Sequence, residues 1–288
     1  MSKSIKSLKD ALGALRPSSY VLLVFIILAI ILLLLFSRAR RYVEPERKPV
    51  SPPLTEQPVE KKPAKPHKGR IAIIIDDFGY NYNSVTQAFL KLEADLTYAI
   101  IPGHYYSQRF AREASEAGYE IMIHMPMESM NHLAGEEGYI LETGMTSAEI
   151  ERRVQLAVDH IPLASGMNNH QGSKATEDDR LMTIVGMILK QNNKYFIDSR
   201  TTAETVAENK MKAIGVPVSR RNIFLDNDSD PELIREQINK LARMAAQRGR
   251  AVGIGHGRRT TLEVLSVEIP RLEAEGYQFV FTSRIVRK

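Results

Sequence analysis

The chain has 288 residues, 43% hydrophobic and 25% charged, with a formal net charge of +5. It contains no cysteine, which excludes disulfide frameworks, thiolate nucleophiles and Cys-ligated zinc. Residues 1–69 carry 13 Lys and Arg against 5 Asp and Glu, a net of +8, while the remainder carries 26 against 29, a net of −3. The basicity therefore belongs to the N-terminal part, and the globular part lacks the basic footprint of a nucleic-acid binder.

Residues 1–19 form a short basic segment. Residues 20–36 read YVLLVFIILAIILLLLF, 17 residues without a charge, and predict a transmembrane helix. At 1.5 Å per residue the run spans roughly 25 Å, slightly short of a ~30 Å hydrocarbon core, and flanking side chains can snorkel across the deficit. The run is long for a signal-peptide core, and Ser37-Arg38-Ala39-Arg40 is a poor cleavage site. Basic residues flank it on both sides, so the positive-inside rule leaves its orientation open. Residues 37–69 are a Pro- and charge-rich linker: the stretch 44–69 holds seven of the 14 prolines and predicts a semi-extended tether. A tethered, cysteine-free domain points to a single-pass protein of the bacterial inner membrane with its globular part in the periplasm.

Residues 70–288 suffice for one sizeable core. Their apolar runs are RIAIIIDD (70–77), DLTYAII (95–101), YEIMIH (119–124), ASGMNNH (164–170), YFIDS (195–199), IFLD (223–226), AVGIGH (251–256) and YQFVFTS (277–283). Helical signals fall between them. A capping box at Thr146–Glu149 opens a helix to about His160, and Asp178 to Gln191 has helical spacing. Asp230-Pro231 opens a helix ending near Arg248-Gly249, and Gly276 closes one over Thr260–Glu275. The alternation predicts an α/β fold of seven or eight parallel strand–helix units, a closed or nearly closed barrel first and an open doubly wound sheet second.

In a βα barrel the C-terminal strand ends converge on one face, where polar groups are costly to desolvate unless paired or metal-bound. Asp76 and Asp77 end the strongest strand. Extended backbone sends neighbouring side chains to opposite faces, so one carboxylate can hold a cation while the other accepts a proton; alternatively both cap a turn before a helix at Tyr82. His124 ends the third run, with Glu128 four residues on, and the methionines 122, 125, 127 and 130 read as core or pocket wall. Asn168, Asn169, His170 and Ser173 follow the fourth run, Asp198, Ser199 and Arg200 the fifth, and Asp226 the sixth. Gly253, Gly255 and Gly257 around His256 would let backbone approach a ligand. Asp77, His124 and His170 together make one carboxylate and two imidazoles, a common divalent-metal set with an open position for water.

The segments IAIIIDDFG (71–79), GYEIMIHMPME (118–128), NNHQGS (168–173), FIDSRT (196–201), IFLDN (223–227) and GIGHGR (253–258) resemble those of the divergent polysaccharide deacetylases, distant relatives of the NodB-type carbohydrate esterases. The resemblance implies a distorted (β/α) barrel with seven or eight units and a metal-assisted removal of N-acetyl groups from a glycan. It makes Asp76 the general base, Asp77 and His124 metal ligands, His256 the general acid, and Arg200 the group that orients Asp76. The family's second metal histidine falls on Glu128, a departure, so the third ligand is His170 or, alternatively, Glu128. Asn169, Ser173, Asp198 and Asp226 are the expected substrate contacts. Zn²⁺ is the expected ion, a cell-envelope glycan the partner, and no nucleic acid is expected. A non-catalytic glycan-binding module and an envelope scaffold are the competing readings.

Overall fold

The structure is a computed structural model that describes residue 28 and residues 30–33, 67–131 and 138–287. The chain divides into two compact units, Met1–Lys62 and Pro63–Lys288. In the first, residues 28 and 30–33 are helical. No helix among the described residues is long and apolar enough to cross a membrane. Most of the expected span 20–36 and of the linker 37–69 lies outside the described residues.

Among its described residues the second unit has nine strands: β1 (Gly69–Phe78), β2 (Thr97–Ile100), β3 (Glu120–Met127), β4 (Gly166–Gln171), β5 (Tyr195–Asp198), β6 (Val218–Arg220), β7 (Ile223–Phe224), β8 (Arg250–His256) and β9 (Tyr277–Phe279). The α-helices among those residues are α1 (Ser84–Phe89), α2 (Ser107–Glu116), α3 (Ser147–His160), α4 (Asp179–Gln191), α5 (Ala207–Ile214), α6 (Pro231–Arg248) and α7 (Arg259–Ala274). The strand order is β6-β5-β4-β3-β2-β1-β8-β7, with β9 also on β1. Every ladder is parallel. The result is a parallel-strand half-barrel whose two edge strands are consecutive in the chain. Between those edges, Arg221 donates its backbone N–H to Asp198 on β5, and Asn222 donates to Val252 on β8.

The helix ends follow their local chemistry. Asp178 and Asp230 cap α4 and α6 with their side chains, Pro231 fills the first position of α6, and Gly249 ends it at a φ of +76°. Only half of the predicted capping box forms at α3. Thr146 accepts from the Glu149 N–H at 3.2 Å, but the Glu149 carboxylate turns outward to Arg152 and Arg153. Helices α2 and α5 and strand β6 are not among the predicted elements, although Ser107, Phe110, Ala111 and Ala114 of α2 are buried at helical spacing and Gly215 closes α5 at a φ of +81°. Helix α5 packs chiefly on α4, where Gly186 faces Ile214 and Met211, and β6 is only three residues long.

The pleat sorts the core. Ile71, Ile73 and Ile75 of β1 join the large cluster shared with the helices, while Ala72 and Ile74 join Ala99, Met122, Ile197, Val252 and Ile254 in a smaller one. The second row is continued towards the C-terminal strand ends by Asp76, His124, Asn168 and His256. The register aligns Asp76 with His256 and His124 with Asn168.

Candidate metal centre

The strand ends bring five of the expected residues to one place. Asp77 Oδ1 lies 3.3 Å from His124 Nε2 and 3.2 Å from His170 Nδ1, and the two ring nitrogens face each other at 3.0 Å. The ligand atoms of Asp77, His124 and His170 all lie within 4.8 Å of one another. Asp76 Oδ2 stands 3.5 Å from His124 Nε2, and His256 Nε2 stands 3.9 Å from Asp77 Oδ2.

Asp77 corrects one expectation. The two neighbouring carboxylates do not diverge, because Asp77 has a φ of +69°, in the left-handed region. That turn ends the alternation of β1 and brings both carboxylates to His124. Gln171, after His170, and Arg200, after β5, are also left-handed, at φ values of +55° and +50°. Non-glycine residues in this region concentrate around functional sites that over-determine them.

Hydrogen bonds orient the imidazoles. Asn168 donates from Nδ2 to Asp76 Oδ1 at 3.0 Å, which fixes the direction of its amide. Its Oδ1 therefore accepts from His124 Nδ1 at 2.8 Å and turns Nε2 towards Asp77 and His170. Asp226 does the same for His256: its Oδ1 accepts from Nδ1 at 2.8 Å, and its Oδ2 accepts from the His256 N–H and the Thr261 hydroxyl. Nε2 of His256 is thereby turned towards the centre.

The electrostatics of the cluster favour positive charge. Burial alone would depress the His124 pKa, but the Asp76 and Asp77 carboxylates outweigh it and push it up to about 9. Burial raises the Asp76 pKa, with Asp77 adding to the effect. For Asp77 burial is overcome by His124 and His170, which hold its carboxyl well below the usual range. Asp77 Oδ1 is buried without a hydrogen-bond partner although two ring nitrogens face it. One carboxylate oxygen and two imidazole nitrogens converging on a shared point, with that oxygen unsatisfied, fit a divalent ion.

Other expected residues sit elsewhere. Glu128 is not at the centre: Oε2 accepts from Thr143 N and Oγ1, at 2.8 and 2.7 Å, and Oε1 pairs with Lys174 at 2.6 Å. Arg200 does not orient Asp76, whose side chain is held by Asn168 and faces His124. Three expected substrate contacts are absorbed by the scaffold. Asn169 takes Ser199 N–H and donates to Gln171 O, Asp198 caps Arg200 and Thr205, and Asp226, fully buried, holds His256. Ser173 accepts from the Met130 N–H at 3.0 Å. Gly253 does not serve a ligand either. A Cβ there would stand 2.7 Å from Leu241 Cδ2 and 3.2 Å from Leu225 Cδ2, so the glycine seats α6 on β8. Met122, Met125 and Met127 are buried, whereas Met130 is exposed. Asn168 and the pairing role of Asp226 were missed; the two-residue spacing of Asn168 and His170 on a strand was the available signal.

A parallel half-barrel with an Asp–His–His cluster at its strand ends defines an α/β protein with a candidate metal centre. The chain belongs to the divergent polysaccharide deacetylase family, whose sequence model matches residues 73–286. It is 36% identical over 197 residues to the uncharacterized protein YibQ of Escherichia coli, covering 68% of this chain and 61% of that one. It is also 36% identical over 205 residues to an uncharacterized protein of Haemophilus influenzae, covering 71% and 72%. The match thus spans about three fifths of the length of the E. coli relative. Among solved structures, an uncharacterized Agrobacterium tumefaciens protein shares the fold with a TM-score of 0.73 and 20% identity, over 77% of this chain and 91% of that one.

Proposed function

We propose that this protein is a metal-dependent hydrolase that removes N-acetyl groups from a cell-envelope glycan. The observation that carries the reading is the convergence of Asp77, His124 and His170 between two further titratable groups, Asp76 and His256. Asp77, His124 and His170 would hold the ion, Zn²⁺ by ligand type. A divalent ion there supplies Lewis acidity towards the acetamide carbonyl and acidifies water. Asp76 takes the proton of the attacking water, a role favoured by a pKa that burial raises. His256, held by Asp226, delivers a proton from Nε2 to the amine as the C–N bond breaks, leaving acetate and a free amino sugar. Residues 20–36 anchor the protein in the bacterial inner membrane, and residues 37–69 tether the domain in the periplasm. The uncharged 17-residue run and the Pro-rich stretch support this placement.

The test is the metal content of the purified full chain beside Asp77→Ala, His124→Ala and His170→Ala, followed by acetate release from N-acetylated glycans. One ion per chain, lost in each variant, with acetate released by the native protein alone, is the expected result. A native protein that takes up no divalent ion on add-back would leave the glycan-binding module as the better description.

A further inference from the structure

At the seam between β6 and β7 lies a cavity of about 410 Å³ lined by Arg200, Arg220, Arg221 and Arg248, with Thr201 and Asn222 among its other walls. Four guanidiniums around one hollow repel each other unless countercharge is supplied. The protein supplies only part of it, from Asp198 and Asp76 towards Arg221 and from Glu208 towards Arg220. Glu208 reaches Arg220 at 3.4 Å, but the same carboxylate binds Lys212 at 2.5 Å. Arg221 donates to the carbonyls of Ser199 and Arg200 at 2.6 and 2.7 Å. Burial depresses its pKa and the neighbouring Arg200 adds to that, against the opposing pull of the Asp198 and Asp76 carboxylates. The guanidiniums of Arg200 and Arg248 bond to no described residue.

The cavity adjoins the metal centre. The Arg221 guanidinium lies 4.6 Å from the Phe224 ring centroid, and that ring stacks on His256 at 5.2 Å with an interplanar angle of 29°. One aromatic ring thus separates a wall of the cavity from the proton donor. The left-handed Arg200 follows Asp198, whose Oδ1 accepts the Arg200 N–H at 2.8 Å, so this wall is a defined turn. Guanidiniums match carboxylate and phosphate oxygens in geometry as well as charge.

We propose that this cavity is a subsite for an anionic oxygen group, carboxylate or phosphate, borne by the glycan whose acetamide reaches the metal centre. The substrate class is therefore an acidic N-acetylated glycan rather than a neutral one. The identity of the carrier rests on the hydrolase reading; the preference for the anion does not.

The test is direct binding to the full chain, without turnover. Three N-acetylated oligosaccharides of equal length are titrated: one neutral, one bearing a carboxylate, one bearing a phosphate monoester. The native protein is expected to bind an acidic chain about tenfold tighter than the neutral one, and the better of the two acids identifies the group. In Arg220→Gln/Arg248→Gln, checked for native folding by its melting temperature, that preference falls towards unity. Equal affinity for all three chains, a preference that survives the double substitution, or binding to anionic vesicles but to no acidic oligosaccharide would overturn the proposal. A protein that prefers the acidic chain yet releases no acetate would count against the hydrolase reading alone.

Discussion

Asn168 is the shared support of His124 and Asp76: it accepts from His124 Nδ1 at 2.8 Å and donates to Asp76 Oδ1 at 3.0 Å. A single buried amide therefore sets the tautomer of one metal-facing ring and the orientation of the adjacent carboxylate. Asn168→Ala is expected to lower metal affinity about 10–100-fold. Asn168→Asp keeps the acceptor for Nδ1 but sets a carboxylate against Asp76 in place of the donor, so it should recover only part of that loss. Metal titration of the two variants checks this, and native affinity in both would remove Asn168 from the site.

Asp226 holds His256 by the same logic, with a consequence for pH. Burial lowers the His256 pKa, but the bond to Asp226 and its charge outweigh burial and raise it above the ordinary value. A general acid must be protonated, so turnover falls as pH rises through that raised value. In Asp226→Asn the lost charge moves the alkaline limb of kcat/KM to lower pH. An unmoved limb would show that another group gives up the proton.

Asp77 combines a proposed ligand role with an unfavourable backbone. At a φ of +69° glycine is relaxed and alanine is not. Asp77→Gly and Asp77→Ala both delete the carboxylate, yet the glycine variant is expected to be the more stable of the two by about 1 kcal/mol. Denaturant unfolding of the metal-free variants measures the difference.

Glu128 is assigned to the scaffold, and its titration gives the test. Burial raises its pKa, but Lys174 and Thr143 outweigh burial and hold it below the ordinary glutamate value. A carboxylate with a depressed folded pKa contributes stability that is complete above its unfolded value and lost as pH falls through the folded one. Glu128→Gln should therefore be less stable than the native protein at neutral pH, with the gap closing below about pH 4. Its metal content should be unchanged; loss of the ion would return Glu128 to the ligand set.

Local chemistry was legible in the sequence. The caps at Asp178 and Asp230, the alternation of apolar runs with helices, and the chemical types gathered at Asp76, Asp77, His124, His170 and His256 follow from propensity and period, which act over a few residues. Tertiary structure decided how those residues meet. Asp76 and Asn168 are 92 positions apart and His124 and His170 are 46 apart, and their contacts depend on strand register and on the left-handed turn at Asp77. Arg200, Asn169, Asp198 and Glu128 have the right chemistry for a site, yet the fold uses each differently, because a side chain's partner is set by the element opposite it. The sequence by itself determined the family and the chemical types at the candidate site. Only the packed half-barrel decided which imidazole faces which carboxylate, since that depends on register and pleat across distant strands.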